Sequence, residues 1–553
     1  MTNVARPARP HRVLAPSTPI HHNLTVAAQR YPSRTAISFF GKEISYQEFD
    51  DTVECIAGWL QHEGGISRGD RVALYMQNSP QWLLAYYAVL RADAIIVPIN
   101  PMNRASEVKH YLEDSGASVV FCAGELLEQL TASGTDTHTV VVDYTDYLPS
   151  NSDYIVPAWL KQALPELGSG QTPWSAVISP RQGDRPKARP SQARPEDIAG
   201  IFYTSGSTGV PKGCAISHQA YQHNIASLSA WHWLAPGTNC LATAPMSHVS
   251  GLNHGVHIPI YLGGASVILP RWDAALAIDL IRRYQVGHAS IAPAAVSDMI
   301  DHPSLTDGAL KSLPRITAGG APMPRSVADK LMEKAGIQFI EAYGLTETSA
   351  TTHLNPITQP KDGSAGVAFY GTEAVIFDAS SGEPLENGLV GELAVRGPQL
   401  FSHYWNRPQD TQEAFITITG VSYFQTGDIG YIDESGYLFI LDRAKRMINA
   451  SGYKVWPAEV ERQLRNCPGI KDVCIVATPD PYRGETVKAF VVRQPGSTLD
   501  AEAVIAWAKE RMAAYKYPRV VEFLEQLPRS NVGKILWKEL QDQEYQCNQH
   551  KAH

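Results

Sequence analysis

Tyr203-Thr-Ser-Gly-Ser-Thr-Gly-Val-Pro-Lys-Gly213 is the stretch on which the reading of this chain turns. Three glycines fall between positions 206 and 213, interleaved with hydroxyl residues, and one lysine, Lys212, follows. Glycines such as Gly206 and Gly209 let successive backbone N–H groups turn into one concavity, a nest for anions. The hydroxyls of Thr204, Ser205, Ser207 and Thr208 add donors, and Lys212 brings a mobile positive charge to outer phosphates. The spacing is neither G-x-x-x-x-G-K-[ST] nor G-x-G-x-x-G, which excludes two common nucleotide loops. A polar surface loop has the same composition, so the loop by itself leaves the phosphate role open.

Outward from the loop, strand and helix alternate. Residues 36–40 read as a strand, and Ser45-Tyr-Gln-Glu48 has the spacing of a capping box that opens a helix through Leu60. Residues 71–76 are again strand-like, 80–90 helical and 94–98 a buried apolar strand. Such alternation predicts an α/β layered sheet. A basic, Pro-rich segment at 180–195 reads as an exposed linker between two lobes, and a second alternating stretch runs from Asp197 to about Leu441. From Arg446 onward the chain is denser in charge, with strands at 472–477 and 487–493 and a helix at 501–513, as expected of a separate small domain.

The bulk numbers narrow the function classes. At 553 residues the chain exceeds the roughly 250–300 at which one core stops growing, so several lobes are expected. A net charge of −8 argues against a nucleic-acid partner and requires any phosphate to be held by a local device. Seven scattered cysteines, with no C-x-x-C pair, indicate neither disulfide framework nor zinc site and suit reduced cytoplasmic thiols. No secretory signal, membrane-spanning stretch or peroxisomal address is evident, so a soluble cytoplasmic protein is expected.

Thr204-Ser-Gly-Ser-Thr-Gly-Val-Pro-Lys-Gly213 resembles the signature of the acyl-adenylate-forming superfamily, which holds acyl-CoA synthetases, adenylation domains and beetle luciferases. Further blocks match in order: Gly319-Gly-Ala-Pro322, Tyr343-Gly-Leu-Thr-Glu-Thr348, Tyr423-Phe-Gln-Thr-Gly-Asp428, the run Leu441-Asp-Arg-Ala-Lys-Arg-Met-Ile-Asn-Ala-Ser-Gly452 that continues to Glu459, and Asn531-Val-Gly-Lys-Ile535. The resemblance covers roughly residues 20 to 540, and within the superfamily it looks most like medium- and long-chain fatty acid–CoA ligases. It implies a large multi-lobed N-terminal domain at 21–444, a small mobile α+β domain at 445–540, a flexible start at 1–20 and a flexible tail at 541–553.

The resemblance also assigns roles. Thr204, Ser205, Gly206, Ser207, Thr208, Gly209 and Lys212 would hold the phosphates of ATP. Glu347 would ligate Mg²⁺ and Thr346 would hold the α-phosphate, because two anions must be brought together. Gly320, Ala321, Pro322, Tyr343 and Gly344 would flank the adenine, and Asp428 the ribose, assisted by Arg443. Lys534 would bridge the substrate carboxylate and the α-phosphate. Lys445 would be the hinge between half-reactions, and Ser451 and Gly452 would line a thiol channel. His248, Asn253, His254, Ala318 and Gly319 would form the acyl pocket, although Asn253, His254 and His257 are polar for a hydrocarbon tunnel. The implied reaction joins a carboxylic acid to coenzyme A at the expense of ATP, with aryl or cyclic acids, or an acyl carrier protein as acceptor, as alternatives. A non-catalytic sensor on this fold is expected to have lost Lys534, Glu347 or Asp428, and all three are present. The Gly65-Ile-Ser-Arg-Gly69 match to a serine-hydrolase elbow requires strand then helix, whereas here a helix precedes and a strand follows.

Overall fold

The computed structural model of the chain describes residues 13–178, 187–204, 210–320, 323–450, 453–480, 483–529 and 535–551. The local signals build what they encode. Ser45 accepts from Glu48 N at 3.2 Å while the Glu48 carboxylate accepts from Ser45 N at 2.8 Å, and helix Tyr46–His62 starts there. Strands Arg71–Tyr75 and Ile95–Ile99 pair in parallel around helix Pro80–Arg91. Apart from Gln81, that helix is apolar or aromatic from Pro80 to Leu90, and it is accordingly buried on every face.

Two compact units result, Met1–Glu373 with Arg396–Phe415, and Ala374–Val395 with Ile416–His553. The first holds two sheets. One runs in the order His403–Tyr404, Lys212–Ser217, Ile198–Thr204, Ile95–Ile99, Arg71–Tyr75, Val119–Ala123, His138–Val142, Gln171–Pro173. The other has a parallel centre of Thr35–Phe39, Ser266–Ile268, Cys240–Ala242, His288–Ser290, Arg315–Gly319 and Gln338–Tyr343, with antiparallel strands at either end. Parallel strands buried on both faces explain the long apolar runs in the sequence.

Two expectations need correcting here. The segment 180–195 does not separate lobes, because strand Ile198–Thr204 joins the sheet of residues 71–142 while strand Thr35–Phe39 joins the other sheet. Its described part is tied down: Arg189 N donates to Gln61 Oε1 at 2.7 Å and Gln192 N to Asp93 Oδ2 at 2.6 Å. Likewise the expected tail from 541 belongs to helix Trp537–Lys551. The Gln541 amide accepts from Ala477 N at 2.8 Å and donates to Ala477 O at 2.7 Å, so it covers the free edge of strand Ile470–Asp480.

The second unit contains strands Glu373–Phe377, Gly391–Arg396, Val421–Ile432 and Tyr437–Arg443, and a separate sheet ordered Tyr453–Val455, Ile448–Ala450, Gly484–Arg493, Ile470–Asp480. Val460, Leu464, Val473, Ile475, Val487 and Val504 form the core beneath that sheet. The sequence-expected boundary at 444/445 falls inside this unit, in the turn Ala444–Arg446. Gly65-Ile-Ser-Arg-Gly69 is a helix-to-strand loop, with Ser67 N donating to Asp70 Oδ2 at 2.8 Å. Among the described residues no helix is long and apolar enough to cross a membrane.

Candidate active site

The glycine-rich stretch closes a hairpin. Strands Ile198–Thr204 and Lys212–Ser217 pair antiparallel, with Thr204 opposite Lys212 and Tyr203 opposite Gly213. Tyr203 is held by stacking on Tyr111 at 4.2 Å between centroids and by donating to Asp114 Oδ2 at 2.7 Å. The hairpin therefore delivers Thr204 and Lys212 to one mouth. Ser205, Gly206, Ser207, Thr208 and Gly209 lie outside the described residues.

A third strand, His403–Tyr404, runs along Lys212–Ser217 with Tyr404 opposite Cys214. It brings charged partners that no motif announced. Lys212 Nζ sits 2.7 Å from Asp410 Oδ1 and 5.2 Å above the Tyr404 ring centroid. The phenol of the same residue is tied in turn, Tyr404 OH donating to Glu347 Oε1 at 2.9 Å. Burial, reinforced by the Glu347 charge, holds the Tyr404 phenol far above its ordinary pKa, so it stays a neutral donor.

Glu347 belongs to a tightly built turn. Strand Gln338–Tyr343 ends at Gly344, where a Cβ would lie 1.5 Å from the Ala350 carbonyl oxygen, so only glycine fits. One turn of 3₁₀ helix, Thr346–Thr348, follows, and Ser349 and Ala350 then take positive φ of 50° and 104°. Phe401 N donates to Glu347 O at 2.7 Å, and Ser349 Oγ to Gln399 O at 2.9 Å. The Thr346 hydroxyl and Glu347 Oε2 have no protein partner among the described residues. Beside this turn, Gly319 pairs with Ala342 in parallel register, and Gly320 takes a φ of 84° that suits glycine alone. Gly320 is thereby placed near Tyr343, while Ala321 and Pro322 lie outside the described residues.

Of the acyl-pocket candidates, Ala318 and Gly319 close strand Arg315–Gly319, and half-buried His248 caps helix Val249–Leu252 by accepting from Ser250 N at 3.3 Å. Asn253 and His254 are enclosed and paired inside the protein. Asn253 Nδ2 donates to Ser349 O at 2.8 Å, and His254 Nδ1 lies 2.8 Å from His288 Nε2. Burial pulls the His254 imidazole down to about 4, so it is neutral near pH 7. Internal pairing thus removes much of the conflict between these polar residues and a hydrocarbon ligand.

In the second unit, Asp428 and Arg443 are cross-strand neighbours on Val421–Ile432 and Tyr437–Arg443, with Arg443 Nε 2.7 Å from Asp428 Oδ1. Thr426 Oγ1 accepts from Asp428 N at 3.1 Å and donates to Leu393 O at 2.8 Å, fixing the turn before the carboxylate. Lys445 occupies the one-turn helix Ala444–Arg446. Ser451, Gly452 and Lys534 lie outside the described residues. Tyr404, Asp410 and Asn224, which donates to the Glu347 turn, were not singled out by motif. Asn224 left no distinct signal, since Gln222, His223, Asn224, Ser227 and Ser229 spread polar residues round helix His218–Trp231.

The fold is that of an ATP-dependent, AMP-forming acid–thiol ligase. The chain belongs to the AMP-binding enzyme family: the AMP-binding enzyme model matches residues 24–405, and that of the AMP-binding enzyme C-terminal domain matches 459–534. It is 34% identical over 549 residues to a long-chain-fatty-acid–CoA ligase of Bacillus subtilis (strain 168), covering 97% of this chain and 96% of that one. A feruloyl-CoA synthase of Amycolatopsis sp is 32% identical over 512 residues, 92% of this chain and 96% of its own. Among solved structures, ATP-bound MatB from Rhodopseudomonas palustris superposes with a TM-score of 0.81 at 26% identity, covering 95% of this chain and 99% of that chain.

Proposed function

We propose that this enzyme activates a medium- or long-chain fatty acid as its acyl-adenylate and passes the acyl group to coenzyme A in the cytoplasm. The observation that carries the reading is the pair Lys212 and Glu347 flanking Tyr404 at the mouth of the phosphate hairpin. The chain-long likeness to the Bacillus ligase supports the acid and the thiol. In the first step a carboxylate oxygen attacks the α-phosphorus of ATP, and the bond to pyrophosphate breaks. Residues Thr204 to Gly209 cradle the outer phosphates, Lys212 neutralises them, and Thr346 donates to the α-phosphate. Glu347 fits a hard divalent cation, since one oxygen is oriented by Tyr404 and the other has no protein partner among the described residues. Bound there, Mg²⁺ would supply charge neutralisation on the phosphates. Gly320, Ala321, Pro322, Tyr343 and Gly344 bracket the adenine, and Asp428 with Arg443 hold the ribose. Lys534 bridges the carboxylate and the α-phosphate as charge develops. The small domain from 445 to about 540 then rotates about Lys445, and the thiol enters past Ser451 and Gly452. Its sulfur attacks the acyl carbonyl and AMP leaves. His248, Ala318 and Gly319 border the acyl chain, with Asn253 and His254 behind them.

A second reading, an aryl or cyclic acid, is favoured by the likeness to the feruloyl-CoA synthase. The test is mass-spectrometric detection of AMP and thioester with a panel of fatty, aryl and cyclic acids, with and without coenzyme A. Thioester formed from alkyl acids only when coenzyme A is present is the expected result. Thioester from ring acids alone replaces the substrate with the second reading. Adenylate accumulating beside unused coenzyme A moves the acceptor to an acyl carrier protein.

A further inference from the structure

The carbonyl of Ser349, two residues after Glu347, is gripped by two buried amides. Asn224 Nδ2 donates to it at 2.9 Å and Asn253 Nδ2 at 2.8 Å, and Asn224 also reaches Thr348 O at 3.3 Å. The two side chains come from different elements, Asn224 from helix His218–Trp231 and Asn253 from the π-helical turn Asn253–His257. Both are fully buried, and both leave Oδ1 without a hydrogen-bond partner among the described residues. Rotating either amide would set oxygen against the Ser349 oxygen, so the donors are fixed by their surroundings. Two unpaired buried acceptors are expensive, and apolar residues of the same size would avoid the cost.

What the amides hold is a strained turn. Ser349 and Ala350 both have positive φ without being glycine, at 50° and 104°. Such conformations persist only where the surroundings over-determine them. Phe401 N on Glu347 O and Ser349 Oγ on Gln399 O complete a grip from three sides. Among the described residues, the Thr346 hydroxyl and Glu347 Oε2 are the polar side-chain atoms of this turn that keep no protein partner. We propose that Asn224 and Asn253 are positioning residues, spending two unpaired acceptors to lock the Ser349 carbonyl and so aim Thr346 and Glu347 at the nucleotide and its metal. The proposal rests on the reading of Glu347 as the metal-holding carboxylate.

Asn224→Leu and Asn253→Leu remove donor and orphan acceptor together while keeping the branching of the side chain, and each is expected to fold. The readout is binding rather than turnover: calorimetric affinity for ATP with Mg²⁺ divided by affinity for ATP with chelator. That ratio is expected to fall roughly 10-fold in each variant, the size usual when a group orienting a metal ligand is lost. Thiolysis of supplied acyl-adenylate is expected to be unchanged in Asn224→Leu. A folded variant with an unchanged ratio overturns the proposal. So does a parallel loss of both half-reactions with a lowered melting temperature, or failure of both variants to fold, since each makes the amides purely structural. Glu347→Gln separates the two claims. If it leaves the ratio intact, the metal reading fails and the proposal with it. If it collapses the ratio while the asparagine variants do not, the grip alone is wrong.

Discussion

Lys212 is already engaged before any phosphate arrives, 2.7 Å from Asp410 Oδ1 and close over the Tyr404 ring. If Lys212 neutralises the phosphates as proposed, binding ATP trades that ion pair for phosphate oxygens. With both partners partly exposed, the pair is worth about 0.2–1 kcal/mol. Asp410→Asn is therefore expected to lower the KM for ATP roughly 2- to 5-fold with little change in kcat, read from pyrophosphate release against ATP concentration. A raised KM would mean that Asp410 holds Lys212 in place rather than restraining it. Lys534→Ala is expected to abolish adenylate formation while sparing thiolysis of synthetic acyl-adenylate; retention of adenylation would remove Lys534 from the first step. Lys212, Thr346, Glu347, Asp428 and Arg443 were legible in the sequence because they sit within contiguous motifs. Tyr404 and Asp410 were not, since Lys212 meets Asp410 across 198 positions and only strand pairing brings them together. Asn224 was hidden for a related reason: one asparagine in a helix says nothing until the carbonyl it faces is known.

At the scale of elements, the expected hinge at Lys445 is flanked by a buried ionic network. Asp442, on the strand before it, accepts from Ala458 N at 2.5 Å, in the first turn of helix Pro457–Leu464 after it. Arg446 joins Asp442 at 3.6 Å and Glu461 at 2.5 Å, and all three side chains are largely buried. Strand and helix are thus coupled across the turn in the state described. Lys445→Pro fixes φ within the turn and is expected to leave adenylation near wild type while thioester formation falls at least roughly 10-fold, measured as separate half-reactions. Equal loss of both would place the pivot elsewhere. The capping box at Ser45 and the alternating strands were readable because their signals are local. The linker at 180–195 and the tail after 541 were misread because composition reports solvation and not partners. Asp93 and Gln61 pin the first, and Ala477 receives the second.

For the molecule as a whole, the first unit buries an unusual number of imidazoles. Burial lowers His21 and His254 to about 4, and His218, His232, His257 and His353 to about 3, from an ordinary 6.5. His288 is held well below its ordinary value by burial, with His232 and His254 adding to the effect. A base that refuses its proton in the fold but accepts it when unfolded leaves the unfolded state with more bound protons between those values. Stability is therefore full above pH 6.5 and drains as pH falls toward 4. Four acids of the first unit act oppositely: burial raises Asp50 to about 6, Glu341 to about 7, and Glu125 and Asp146 above their ordinary values, so each favours the fold as pH falls through its raised value. Seven imidazoles outnumber these four carboxyls, so unfolding takes up a net of a few protons in this range, each worth about 1.4 kcal/mol per pH unit at full difference. Against a domain stability of about 5–15 kcal/mol, such an uptake removes a large share of the margin as pH falls. The first unit is thus expected to unfold cooperatively between pH 6.5 and 4, while the second, which holds none of these histidines, survives to lower pH. Urea titrations at half-unit pH steps, with calorimetry to resolve the two units, read the outcome directly. A midpoint denaturant concentration that stays flat from pH 7 to 4.5 would mean that water reaches these rings and that the fold does not depend on keeping them neutral.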